Sequence, residues 1–159
     1  MADNASTIDD QNGDSPDWIE FRNPNGFNLS IGGYFLTDDD AELNKWQIPA
    51  GVTIPANGYL IIFASGDNLS DPAEPVHTNF SLKKGGEYLA LVDTDGITVL
   101  NDFAPSFPPQ KEDVSYGLEP GGATIGYFTP PTPAAAAPKH RPLHRVPRIQ
   151  SASSIPVWF

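Results

Sequence analysis

Apolar and polar positions alternate along the chain in short bursts, each closed by turn-forming residues. Residues 17–22 set the grammar: Ile19 and Phe21 alternate with Glu20 and Arg22, the period-two signature of a half-buried strand. Asn23-Pro24-Asn25-Gly26 then stops the run, because proline fixes φ while asparagine and glycine tolerate positive φ. The same reading predicts strands at 17–22, 27–30, 33–37, 45–48, 59–64, 87–93, 97–103 and 113–117. Asp95-Gly96, set between two apolar runs, is a hairpin signal. Residues 59–63 and 88–92 are apolar at almost every position, as central strands of a sandwich or barrel are. The expected core comprises Ile19, Phe21, Leu36, Trp46, Ile61, Phe63, Leu89, Leu91, Val99 and Tyr116, and helix is limited to a turn near 41–44. The pattern predicts an all-β domain.

Composition agrees. The chain has 159 residues, enough for one domain with appendages, and its 17 prolines and 14 glycines suit frequent turns and disfavour long helices. A formal charge of −11 argues against nucleic acid as partner, which demands a basic face. With no cysteine, there are no disulfides, thiolate nucleophiles or cysteine metal sites. No apolar run reaches the roughly 18 residues of a membrane span, so no membrane insertion is expected. The start, Met-Ala-Asp-Asn, lacks the positive charge and apolar stretch of a signal peptide. The composition changes at 130–138, a Pro/Ala-rich stretch. All 20 acids and five of the nine bases precede residue 139, a balance of −15, whereas Lys139, Arg141, Arg145 and Arg148 follow with no acid. The expected organisation is a domain over 1–133 and a Pro/Ala-rich linker with a basic, disordered tail over 134–159.

Candidate chemistry is sparse. In the acidic loop at 9–14, the alternate residues Asp10, Asn12 and Asp14 could converge on a calcium ion around Gly13, since calcium takes six to eight oxygens. The spacing departs from an EF-hand, because the glycine comes too early and Phe21 stands where the closing glutamate belongs. The favoured reading is a turn whose aspartates bond their own backbone, with no cofactor. Asp38, Asp39 and Asp40 read as a solvated loop, and Lys83-Lys84 before Gly85-Gly86 as an exposed hairpin tip. His77 is the one histidine before the tail and reads as a loop or strand-edge residue with local bonds. Neither a Gly-x-Ser-x-Gly elbow nor a His-Glu-x-x-His pair is present, so no catalytic residue is assigned and no enzyme is expected. Trp18, Tyr34, Trp46, Tyr59, Phe63 and Tyr88 could form a platform for sugar rings, but their place on apolar-pattern strands favours a core role.

Several blocks together resemble the lamin-tail domain in its bacterial form. They are Asp17-Trp18-Ile19-Glu20 followed by Asn23-Pro24, Gly32 to Asp39 (Gly-Gly-Tyr-Phe-Leu-Thr-Asp-Asp), Lys45 to Pro49, and Ile54 to Tyr59. His77 to Leu82, Gly85 to Leu91, Asp113 to Gly117 and Phe128 to Pro133 continue the match in order. The resemblance implies an immunoglobulin-like antiparallel β-sandwich. It also implies a non-catalytic structural or protein-interaction module, extracellular or on the cell surface, within a larger secreted or surface protein. The alternative it leaves open is an accessory module of a secreted hydrolase that binds polysaccharide or a surface. Two departures stand out. Family members carry an apolar strand before a segment like Ala2 to Ser6, so the expectation is a chain that lacks its first strand, leaving a neighbour's edge unpaired. From Lys139 the sequence resembles no family continuation and reads as a frame change or an unrelated join.

Overall fold

The computed structural model describes residues 1–118 and 124–134. They form ten strands and no helix: β1 (Trp18–Arg22), β2 (Leu29–Ser30), β3 (Phe35–Thr37), β4 (Trp46–Gln47), β5 (Thr53–Ile54), β6 (Tyr59–Phe63), β7 (Leu89–Val92), β8 (Val99–Phe103), β9 (Ser115–Leu118) and β10 (Ile125–Phe128). The pairs are antiparallel, β1 with β6, β2 with β5, β9 with β10, and a four-stranded sheet in the order β4-β3-β7-β8. Ile19, Phe21 and Ile62 of the β1/β6 ribbon pack with Leu36, Trp46, Leu89 and Leu91 of the four-stranded sheet in one core. This is the all-β fold that the alternation predicts, consistent with the immunoglobulin-like sandwich that the resemblance implies, stabilised chiefly by apolar area removed from water.

The register corrects three expected core residues. Ile62 is fully buried and pairs with Ile19, while Ile61 pairs with Glu20 on the ribbon's other face and is only partly buried. On β8 the inward residue is Leu100, and Val99 is 38% exposed. A register shift between Leu91 and Val92 inserts one residue opposite β7 and reverses the parity of β8. Tyr116 is half-buried at the core margin. Residues 41–44 form a turn rather than helix, closed by Glu42 N–H donating to Asp39 O at 3.2 Å.

The other face of the β1/β6 ribbon carries a second apolar cluster of Met1, Trp18 and Phe63, with Ile8 and Ile61 against it. Met1 extends this ribbon by one pair. Its amino group donates to Trp18 O at 2.9 Å, and Trp18 N–H donates to Met1 O at 3.1 Å. On the far side, Phe63 forms a parallel bridge with His77. Phe63 N–H donates to Val76 O at 3.1 Å and Thr78 N–H to Phe63 O at 2.9 Å. The linker and basic tail over 135–159 lie outside the described residues.

Candidate functional site

The bridge to Phe63 fixes the backbone of His77 and turns its side chain inward, where it is fully buried. Each ring nitrogen has a partner: Nδ1 lies 2.9 Å from Ser65 Oγ and Nε2 lies 3.1 Å from Gln11 Oε1. Since an amide oxygen only accepts, Nε2 carries a hydrogen, and the Ser65 hydroxyl can turn to serve Nδ1. Two carboxylates stand farther off, Asp10 Oδ2 at 3.9 Å from Nε2 and Asp67 Oδ2 at 3.9 Å from Nδ1. The Phe63 ring lies against the imidazole with centroids 5.1 Å apart. The expectation of local bonding is thus corrected, because Gln11 is 66 positions away in sequence.

Ser65, His77 and Asp10 stand in the order of a nucleophile–base–acid relay, and the same groups also tie loops together. Ser65 Oγ also accepts the Asp67 N–H at 3.1 Å, and Ser81 Oγ donates to Ser65 O at 3.0 Å. These contacts close the 65–67 turn and tie it to residue 81. A relay serves only when its hydroxyl faces a place for substrate. The imidazole is fully buried beside Phe63 and Gln11, and an apolar cavity lies in the interior between Trp18, Leu89, Phe107 and Tyr116.

Asp10 is the capping residue of its own loop. Its Oδ1 accepts the N–H groups of Asn12 at 2.8 Å and Asp14 at 3.0 Å, while Asp10 N–H donates to Asp14 O and Gly13 N–H to Asp10 O. Gly13 has φ 86°, a conformation that costs glycine nothing. Burial raises the Asp10 carboxyl, yet the donors from Asp14 and Asn12, with His77 nearby, outweigh it and hold the group below its ordinary range. Asn12 and Asp14 are exposed, and the Asp10 side chain is 2% exposed and turned toward His77. The three residues therefore do not converge on one point. Among the described residues, no group of three or more His, Cys, Asp or Glu side chains is arranged to hold a metal ion.

The remaining candidates divide. Asp38 is not solvated but pairs with Lys45 Nζ at 2.5 Å, whereas Asp39 and Asp40 are exposed. Lys83 and Lys84 are exposed, pairing with Glu87 at 2.8 Å and Asp3 at 2.6 Å. They occupy a turn before β7, not a hairpin tip, and a Cβ on Gly86 would meet Phe107 O at 2.2 Å. Trp18 and Trp46 are buried, their indoles donating to Thr7 Oγ1 at 3.3 Å and Asn68 Oδ1 at 3.0 Å. Phe63 is buried as well, while Tyr34, Tyr59 and Tyr88 are half-buried.

Glu20 gives no signal in the sequence. It sits on the outer face of β1, where Oε1 accepts the Ala134 N–H at 2.6 Å. Burial pushes its carboxyl up to about 7. Among the described residues no helix is long and apolar enough to cross a membrane. Compared with known proteins, the chain matches the family model described as Lamin Tail Domain over residues 4–102. No curated protein and no solved structure matches it.

Proposed function

Because this chain belongs to the lamin-tail domain family, we propose that it is a non-catalytic structural or protein-interaction module. The proposed setting is a larger secreted or surface protein, where the domain acts through its loops and rims. One observation carries the reading: the best-placed reactive set, Ser65–His77–Asp10, is spent on internal hydrogen bonds around a fully buried imidazole. Side chains committed to holding loops together are not free to shuttle protons. Among the described residues most exposed positions fall in turns and loops, which is where binding residues concentrate in rigid sandwiches.

The runner-up, a polysaccharide-binding accessory module, loses its two tryptophans to the interior and would rest on Tyr34, Tyr59 and Tyr88. The module as proposed needs no cofactor, since Asp10 already has two amide donors on Oδ1. Three assays on the full chain test this. Activated esters should turn over no faster than in buffer, calorimetry with Ca²⁺ should give no binding heat, and soluble polysaccharides in a native gel should not retard migration. Saturable turnover abolished by Ser65→Ala would make the protein an enzyme. Retardation abolished by Tyr59→Ala in a folded variant would move the assignment to the runner-up.

A further inference from the structure

Beside β1, two loops form a tip unlike the rest of the surface. Residues 23–28 and 54–58 contain no charged side chain, in a chain that carries 20 acids. Pro24, Phe27, Pro55 and Ala56 are exposed there, and Phe27 is 64% exposed. The tip is nonetheless tightly built. Asn23 is fully buried, and its amide nitrogen donates to the carbonyls of Phe27, Ile54 and Pro55 at 2.7, 3.1 and 3.0 Å. Its oxygen accepts the Asn25 N–H at 3.0 Å. Asn57 N–H donates to Asn25 O at 2.8 Å, Ala56 N–H to Asn28 Oδ1 at 3.0 Å, and Asn23 N–H to Gly58 O at 2.9 Å.

We propose that this tip is a docking knob whose anchor is Phe27, and that its occupant is a protein with an apolar socket rimmed by Lys and Arg. The proposal deepens the interaction-module reading and rests on it. An aromatic side chain held on a pre-ordered loop loses little conformational freedom on binding, and such residues are typical interface anchors. The uncharged tip carries no charge into the socket, so no ion is buried unpaired. Charge selects the occupant. At a net −11, the protein repels a second copy of itself, anionic lipid and nucleic acid, and steers toward a cationic rim. Ile97, 74% exposed on the β7–β8 loop with Val99 at 38% close by in sequence, differs because Asp93 and Asp95 flank it, so that docking there would carry charge toward the socket.

The test is selection of a displayed library of constrained peptides on the full chain, with binding then measured for Phe27→Ala and Ile97→Asp. The proposal expects binders combining apolar residues with Lys or Arg, protection of amides in 23–28 and 54–58, and a loss of about 30-fold or more in Phe27→Ala. Ile97→Asp should bind as the parent does. Binders that ignore Phe27→Ala overturn the knob while leaving the module reading intact, and failure to select any binder overturns both. Phe27-dependent dimerisation in sedimentation, or Phe27-dependent binding to phosphatidylserine vesicles, would overturn the assigned occupant.

Discussion

Glu20 shows how a single side chain sets a pH dependence. Its carboxyl is pushed up to about 7 by burial, against the opposing pull of the Ala134 N–H. A raised value means that the fold prefers the protonated form. The stability this group contributes is full below the ordinary glutamate range and is lost as pH rises through about 7. Glu20→Gln, which mimics the protonated acid, should therefore stabilise the protein at pH 8. The expected gain is about 2 kcal/mol after allowing for partial solvent access, falling to nothing near pH 4. Urea unfolding at the two pH values checks this, and an equal effect at both would contradict it. The residue scale was only partly legible. The Asp10 turn follows from local aspartate chemistry, whereas His77 depends on Gln11, brought from 66 positions away by the pairing of β6.

The inward face was legible on β1, where one face alone is apolar, and not on β6, where both are, although both strands lie where the pattern puts them. β1 alternates cleanly, so Ile19 and Phe21 fall on the core side as expected. All five residues of β6 are apolar or aromatic, and a period of two cannot then choose the face. The choice comes from register with β1, which sets Ile62 opposite Ile19. Ile62→Ala should cost about 2–5 kcal/mol and Ile61→Ala clearly less, as thermal or denaturant melts would report. The reverse order would mean that the ribbon is slipped by one residue. β5 and β10 were missed because Thr53–Ile54 is too short to display a period, and Gly126 interrupts the apolar run of Ile125–Phe128. The Asp95-Gly96 hairpin was legible in kind: Asp95 accepts Ile97 and Thr98 N–H groups at 2.9 and 2.8 Å and orders the loop.

At the scale of the whole molecule, the polar first segment belongs to the folded body despite having no strand of its own. Asp113 accepts from Ala5 and Ser6 N–H at 2.9 and 3.0 Å, Asp17 accepts from Asn4 N–H at 3.1 Å, and Gln11 meets His77. These contacts span up to 108 positions, so composition alone reads the segment as loop. Polar groups that look reactive are the ties that join these distant segments into one sandwich. Thermal unfolding of the parent and of His77→Gln, followed by far-UV circular dichroism and by amide signals of residues 9–17, decides whether these ties hold the fold. The expected result is one cooperative loss of β signal in which residues 9–17 melt with the sheets, and a His77→Gln variant weaker by about 1–3 kcal/mol. A helical spectrum, a loop that melts well before the sheets in the parent, or a variant as stable as the parent would contradict it.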